Sequence, residues 1–487
     1  MLVVLTGCQS VGGFDVNSAI LGSKEKLYQP MESRQTLDLE VTPSANATAE
    51  DKEMIDLLNS ISVHIDSAKS EDMDHASVTG SVYYLDNEIP FLFSMDKTGF
   101  ALDIEGAEKP VYFSLGEEIE TAEMTEYYEQ VEDVTWELAS FLVKHLPNPD
   151  TISVAKAQET VNGEQLDLTQ LHVELSGTEM VELIRPFLTS IAEDEEGLKQ
   201  LIGNLYDAIS VMFVAIEAED ESLEGASEFL SPESKDTTVA MIHGAITGYL
   251  DEFLLDYDQE VEKLFNETPE LKTVFGDDTN LTVDYYFDSE LNARKSDMEL
   301  KVAIPASDEL PVSEIKLVNT SEIWNYGTEV KADQVDTSSG VLDVMYGEAT
   351  TGEILRNFEG SAPVHELLLN SGMTSMFTYL DPEDEYYGLV NNDGTGFVAL
   401  RYFADQFEAD VKWTKGSNQI VVTNDLTLAQ STYTLGSKQA VVNGEKVTLP
   451  SAPYMEHGMV YVPLRSIAEA LDATVTFEDG WYAVERK

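Results

Sequence analysis

The sequence predicts an α+β protein: one or more large antiparallel sheets with flanking amphipathic helices, then a small carboxyl-terminal α/β module. Three observations predict it. Runs of period-two alternation, beginning with Gln35–Val41, mark half-buried strands. Long stretches with apolar residues three or four apart, and glutamates between, mark helices that must lie on a sheet or on each other. Near the carboxyl end, residues 397–413 align without gaps on residues 461–477, an offset of 64.

In chain order, Asp15-Val16-Asn17 is expected to cap a short helix running to about Lys26. Gln35–Val41 follows as a strand and Ala49–Leu58 as a helix. From Ile61 to Leu115, alternating runs broken at Asp86-Asn87 and Lys97-Thr98-Gly99 predict an antiparallel meander. Glu117 to His145 reads as one long helix, with Val131, Val134, Leu138, Phe141, Leu142 and His145 on its apolar stripe, and Asn148-Pro149 stops it. Asn162-Gly163 joins two strand-like runs and is the strongest hairpin signal in the chain. Helices are expected at 178–192, 198–217 and 236–265, and strand signals return from Leu281 to about Val344. Tyr83-Tyr-Leu-Asp-Asn-Glu-Ile89 is echoed by Tyr285-Tyr-Phe-Asp-Ser-Glu-Leu291, and Leu37–Val41 by Leu171–Leu175. Two echoes in one order suggest a duplicated sheet-plus-helix unit, with chance as the rival explanation.

The chain carries 91 acidic residues against 28 basic ones, a net charge of −63. Such a field repels nucleic acid and attracts cations, so nucleic acid is excluded as a partner. The charge is uneven: residues 389–487 hold 12 acids and 8 bases, which leaves 79 and 20 in the other 388. The shift marks a module boundary. The expected organisation is a tether over 1–14, an acidic α+β region over 15–345, a linker with a short helix over 346–385, and the repeat module over 386–487.

Each repeat reads as strand, helix, then a strand ending in an aromatic, Trp413 or Phe477. Leu400, Phe403, Ala404 and Phe407 share one helix face, as do Leu464, Ile467, Ala468 and Leu471. Flanking runs Ile420–Val422 and Trp481–Val484 supply the sheets, and Asn443-Gly444 turns a hairpin between the copies. The segment Val462-Pro-Leu-Arg-Ser-Ile-Ala-Glu-Ala-Leu471, with Val442-Asn-Gly-Glu-Lys446 upstream, resembles the copper amine oxidase N-terminal domain family over about 386–487. The first copy departs from the pattern, with Ala399 where proline is usual. The resemblance implies a stalk or spacer module of cell-surface proteins. It does not imply oxidase chemistry, which needs clustered imidazoles: the seven histidines are scattered, and only His457 lies in this module. Asn325-Tyr326 has Glu322 before it and Gly327 behind, so it also fails the context in which an oxidase's tyrosine-derived cofactor forms. Arg401 and Arg465, at matching repeat positions, are expected to anchor each helix start to a carboxylate or backbone carbonyl.

The single cysteine is Cys8, so no internal disulfide forms. Leu5-Thr6-Gly7-Cys8 resembles the lipobox of bacterial lipoproteins, which implies cleavage before Cys8 and acylation of its thiol. A full leader has a basic start and a longer apolar run, so the resemblance also implies a start upstream of Met1; the competing reading is a buried cysteine in a first strand. Lipidation holds the protein at the outer face of the bacterial membrane. The order of sheets and helices behind a lipobox looks like the lipoprotein-carrier folds of bacterial envelopes, where a curved sheet shelters acyl chains.

No carboxylate pair stands out for acid–base work. Asp381–Glu385 and Asn391–Gly394 offer calcium-type oxygens without the spacing of a calcium loop, and read as exposed turns. No phosphate loop, zinc pair or Gly-x-Ser-x-Gly elbow occurs, and no cofactor is expected. The expected function is a non-enzymatic, lipid-anchored envelope protein that binds or scaffolds, its partners being the membrane and a cell-wall polymer, cations or an apolar ligand. The alternatives are a carrier of a lipid or other apolar molecule, and an accessory envelope hydrolase with an unrecognised site.

Overall fold

The computed structural model describes residues 10–22, 29–115, 122–219, 233–305, 307, 310–345, 349–381, 390–392, 395–413, 416–478 and 481–486. Cys8, residues 382–385 of the Asp381–Glu385 segment and residues 393–394 of the Asn391–Gly394 segment lie outside the described residues.

The first helix, α1 (Val16–Leu21), starts as expected: the Asp15 carboxylate accepts from the Ser18 backbone N–H. It stops earlier than predicted because Gly22 ends it at φ 63°, ψ −148°, a backbone conformation open essentially to glycine alone. Then come β1 (Met31–Pro43) and α2 (Ala49–Asn59), the helix opened by a reciprocal Thr48–Asp51 capping box. The meander is β2 (Ser62–Ser70), β3 (Ala76–Tyr84), β4 (Asn87–Asp96), β5 (Gly99–Ile104) and β6 (Val111–Ser114). Next are α3 (Ala122–His145), β7 (Thr151–Val161) and β8 (Glu164–Ser176). The β7–β8 turn has Asn162 at φ 48° and Gly163 at φ 79°, the paired positive angles that a two-residue turn on twisted strands requires.

The helices α4 (Gly177–Glu193), α5 (Glu195–Glu219), α6 (Lys235–Leu255), α7 (Tyr257–Glu267) and α8 (Leu271–Val274) follow. The single helix expected over 236–265 is thus two, broken at Asp256 (φ −107°, ψ 11°). Its expected stripe is only partly covered: Val239 and Ile246 pack against Phe141 and Leu198, whereas Ile242 is 37% exposed. The remaining strands of this region are β9 (Asn280–Phe287), β10 (Ala293–Ala303) and β11 (Val312–Trp324).

Beyond them lie β12 (Leu342–Asp343), α9 (Thr351–Arg356), α10 (Pro363–Asn370) and β13 (Met376–Leu380). The stretch read as a linker therefore holds two helices and a strand. Its cues are short: a Thr350–Glu353 capping box and Pro363 in the first helical turn. The repeat module comprises β14 (Val390–Asn392), β15 (Thr395–Ala399), α11 (Leu400–Gln406), β16 (Ala409–Trp413), β17 (Gln419–Asn424), β18 (Gln430–Thr434), β19 (Gln439–Val442), β20 (Glu445–Thr448), β21 (Tyr454–Glu456), β22 (Met459–Pro463), α12 (Leu464–Ala470), β23 (Thr474–Glu478) and β24 (Trp481–Arg486).

The chain forms two compact units, residues 1–98 with 115–334 and residues 99–114 with 335–487. In the first, antiparallel strands run in the order β4-β3-β2-β1-β11-β10-β9-β8-β7. The strand–helix–meander β1–α2–β2–β3–β4 is followed across the sheet by β8, its helices, and β9–β10–β11, laid down in the same direction. The Leu37 and Leu171 echoes fall on β1 and β8, each leading into a helix. The tyrosine echoes fall on the β3–β4 and β9–β10 turns. Since β2–β3 is the positional counterpart of β9–β10, this second echo is displaced by one hairpin. Gly80 lets β3 approach β2 at its bulge, where a Cβ would lie 2.2 Å from the His64 carbonyl oxygen.

In the second unit β5 and β6 pair antiparallel and β12 joins β6 in parallel. The repeat module has three further sheets, β13-β24-β23, β14-β15-β22-β21 and β16-β17-β18-β19-β20. Its two copies meet through β15 and β22, with Phe397 opposite Pro463, Val398 opposite Val462 and Ala399 opposite Tyr461. Because equivalent residues differ by 64, this register is that of a local two-fold axis through the Val398–Val462 pair. Around it, Leu400, Phe403, Ala404 and Leu464, Ile467, Ala468 join one core.

Candidate functional site

The central rows of the first unit's sheet separate polar and apolar side chains by face, while nearer one end Val161, Leu168 and Tyr286 make a small apolar cluster on the polar side. Strand alternation sets Leu37, Leu39 and Val41 on one face of β1 and Thr36, Asp38 and Glu40 on the other. Registers carry each choice across the sheet. On one face a single row reads Ile89, Val82, Val63, Leu37, Asn319, Met298, Val283, Val173, Ile152 from β4 to β7. Only Asn319 is polar, and its amide donates to the Thr36 carbonyl at 3.2 Å. The next row is Leu39, Leu317, Leu300, Leu281 and Leu175.

The matching row on the opposite face reads Ser81, His64, Thr36, Thr320, Asp297, Asp284, His172, Ser153. It is laced by cross-strand pairs. Arg34 meets Glu322 at 2.6 Å, Lys295 meets Glu159 at 2.8 Å, and His172 Nδ1 meets Asp284 at 2.8 Å. A shallow depression of about 400 Å³ lies among Arg34, His64, Lys295 and Asp297. Burial pushes the Asp297 carboxyl up, against the pull of Lys295. For Lys295 burial acts downward, but Glu159 and Asp297 outweigh it and its ammonium is raised. For His172 burial again acts downward and is outweighed by Asp284 and Glu174. Ion pairs link most of these groups, but Asp297 and Asp284 stand directly opposite one another as like charges, which adds to the upward push on Asp297.

The apolar face is covered unevenly. At the β8–β10 side, α1 and α4 lie on it: Val16, Ala19, Met180 and Leu183 pack against Leu171, Val173, Leu281 and Val283. Val173 and Val283 are each 1% exposed. Along β1, α2 presses Ile55 onto Val41 and Val312. Between these covers the same row opens to solvent, and Leu37 and Leu39 are 37% and 38% exposed. Val82, Val63, Leu317, Met298 and Leu300 are only half-buried. The helices add exposed apolar side chains: Met54 and Leu58 on α2, Leu138 and Leu142 on α3, and Ile184 on α4. From Val82 to Met298 the half-covered row crosses four strand spacings, about 20 Å, roughly the length of an extended sixteen-carbon acyl chain.

In the second unit the four repeat-anchor residues expected from the sequence, Arg401, Arg465, Trp413 and Phe477, are exposed. Arg401 is exposed, and its Nη2 donates to the Val411 carbonyl at a long 3.4 Å. Arg465 is exposed and makes no hydrogen bond or ion pair among the described residues, so the expected anchor is absent there. Trp413 is 45% exposed, its indole N–H donating to the Ser417 carbonyl at 2.8 Å. Phe477 is 59% exposed and packs on Tyr482, ring centres 4.7 Å apart. The arginine that does anchor a helix is one the repeat comparison passed over. Arg486 is 3% exposed; Nη1 donates to the Phe407 carbonyl at the end of α11 (3.2 Å), and Nε to the Thr374 carbonyl (2.9 Å). Its signal is weak, since it stands at the end of a short strand with no partner nearby in sequence.

The strand–helix–strand copies, their two-fold register and the sequence of residues 387–485 agree with one family model. Residues 387–485 are a copper amine oxidase N-terminal domain. No curated protein matches the chain. Within this copper amine oxidase N-terminal domain the one histidine, His457, is exposed on the β21–β22 turn at φ 49°. Among the described residues no group of three or more His, Cys, Asp or Glu could hold a metal ion. One imidazole does not fit a copper site, which takes clustered imidazoles. Tyr326 is occupied otherwise: its hydroxyl donates to the Ala293 carbonyl at 2.7 Å, and burial pushes its pKa up.

Proposed function

We propose that this chain is a non-enzymatic binding protein, held at the outer face of a bacterial cell membrane by lipid on Cys8, that carries an acyl chain or a similar apolar molecule on its sheet. The observation that carries the reading is the half-covered row through Leu37. Adjacent leucines in a row that runs apolar across the sheet, left more than a third exposed between two helical covers, form the kind of apolar patch that marks a binding surface. The ligand is apolar because the row is apolar, and unbranched because a single row a strand-pair wide would take one chain. The copper amine oxidase N-terminal domain then serves as a spacer or contact module of the anchored protein.

Two measurements test this. The polypeptide following Cys8, purified without detergent, is expected to carry lipid-sized masses in native mass spectrometry that vanish on denaturation, and to bind a fluorescent fatty acid saturably. Polypeptide mass alone, together with no saturable binding, overturns the carrier reading and returns the scaffold. The anchor is tested separately, by mass analysis of the amino-terminal peptide from a membrane fraction: an unacylated Cys8 overturns it.

A further inference from the structure

The copper amine oxidase N-terminal domain holds a cleft that the spacer reading does not use. It has a volume of about 390 Å³ and lies beside the first repeat copy, bounded by α11, the β16–β17 hairpin and the β21–β22 turn. Leu400, Val411 and Ile420 are among its apolar lining, and Arg401, Asp405 and Trp413 are its polar and aromatic lining. That size falls in the range of small-molecule sites.

Three features act together. The Trp413 ring lines the cleft while 45% exposed, yet its indole N–H is fixed on the Ser417 carbonyl at 2.8 Å. A flat apolar surface is therefore held in place before any ligand arrives, which lowers the entropy cost of binding. Arg401 makes one long hydrogen bond, 3.4 Å to the Val411 carbonyl, so among the described residues most of its five N–H donors are uncommitted. Asp405, one helical turn along α11, is exposed and supplies acceptors. The second copy keeps the charged pair at matching positions, as Arg465 and Glu469, and differs in the other two. Phe477 replaces the tryptophan, and Ser466 stands where the first copy has Tyr402, buried with its carbonyl accepting from the Tyr433 hydroxyl at 2.9 Å.

We infer that this cleft binds a pyranose sugar unit of a neutral glycan. A pyranose ring presents a flat C–H face to the Trp413 ring and, at its edge, hydroxyls that both accept from Arg401 and donate to Asp405. The other small-ligand classes fit less well. An anion would take the guanidinium but meet Asp405 and a chain of net charge −63; a cation would meet Arg401; an apolar molecule would leave both charges desolvated and unpaired. The site is independent of the acyl-chain site, in a different unit.

The test uses the full chain with triacetylchitotriose and maltotriose, followed by isothermal titration calorimetry. Saturable binding of either is expected. Trp413→Ala should weaken it about tenfold or more, the scale of one aromatic contact. Arg401→Gln should weaken it as well, while Trp481→Ala, on another sheet, should leave it unchanged. Circular dichroism confirms that the variants fold, and removal of Trp413 at an exposed strand end should not prevent this. Should Trp413→Ala misfold, Trp413→Phe gives the same reading through a smaller loss of affinity. Failure of both sugars to bind overturns the inference, as does binding that is indifferent to Trp413 and Arg401.

Discussion

Replacing both leucines at the uncovered stretch, as Leu37→Thr with Leu39→Thr, isolates the proposed ligand contact from the fold. Threonine keeps the branched side chain that suits a strand and removes apolar surface from a position already 37% and 38% exposed. Covering a fully exposed leucine is worth about 1.5–3 kcal/mol, so the exposed third of two leucines contributes about 1–2 kcal/mol when a ligand lies over them. The variant should therefore bind a fluorescent fatty acid about 5- to 30-fold more weakly. The comparison is Asp38→Asn, between the two leucines but on the opposite face, which should bind as the parent does. Fluorescence titration gives the affinities, and thermal melts show how far the fold is affected. Undiminished binding by the double threonine variant, or an equal loss in Asp38→Asn, would refute the placement of the ligand on this face.

Three further outcomes are expected. Arg486→Met removes the hydrogen bonds to the Thr374 and Phe407 carbonyls and leaves Glu408, 3.6 Å from the guanidinium, without its ionic partner; urea unfolding should show a loss of about 2–4 kcal/mol. Gly163→Ala places a Cβ in open space but at φ 79°, so the cost is backbone strain alone, about 1 kcal/mol by the same measurement, whereas Asn162→Gly should cost less. Urea midpoints against pH should separate two histidines. His172 is raised above 6.5 in the fold, so its contribution is complete below 6.5 and is lost as pH rises through the folded value; His172→Gln should remove that loss. Burial lowers His145 below 6.5, so the unfolded chain takes up its proton first and stability falls as pH drops below 6.5; His145→Gln should flatten that limb.

Where one local rule governed an element, the sequence was sufficient. Asn162-Gly163 and Asn443-Gly444 have the turn chemistry for paired positive φ, and both form two-residue hairpins. Asp15 caps α1, and the 64-residue offset located both copies of the repeat, because each copy is a complete local pattern. Elements failed where the deciding contact was remote or small. The break at Asp256 interrupts a stripe that is continuous in sequence, and no proline or glycine marks it. Strand β13 is defined only by pairing with β24, Met376 opposite Arg486, across more than a hundred residues. The candidate site was half visible. Alternation around Leu37 was plain, but a strand's two faces look alike until registers across nine strands line up one apolar row against one polar row. Which leucines stay uncovered depends on where α1, α2 and α4 end, and no periodicity contains that. Arg401 and Trp413 were found as scaffold residues; the cleft they share with the β21–β22 turn is a product of folding.

The two repeat copies separate what the fold requires from what a surface can vary. Positions on the shared core are kept as apolar pairs: Val398 with Val462, Leu400 with Leu464, Phe403 with Ile467 and Ala404 with Ala468, all nearly inaccessible. Their burial stabilises both helices and the two-fold β15–β22 seam, so a substitution there would disturb two sites at once. Outward positions are freer to vary, although arginine is kept, exposed, at both 401 and 465. The first copy uses that freedom. Tyr402 and Trp413 stand where the second has Ser466 and Phe477, and the β16–β17 connection pairs Trp413 with Ile420 where β23–β24 pairs Phe477 with Tyr482, two residues tighter. The longer connection brings the Ser417 carbonyl to the Trp413 indole. Tyr402, Trp413 and the longer connection thus set the aromatic side of the cleft apart in this copy, while its charged pair, Arg401 and Asp405, has counterparts in Arg465 and Glu469, so the first copy adds a flat aromatic wall to a polar edge that both copies share.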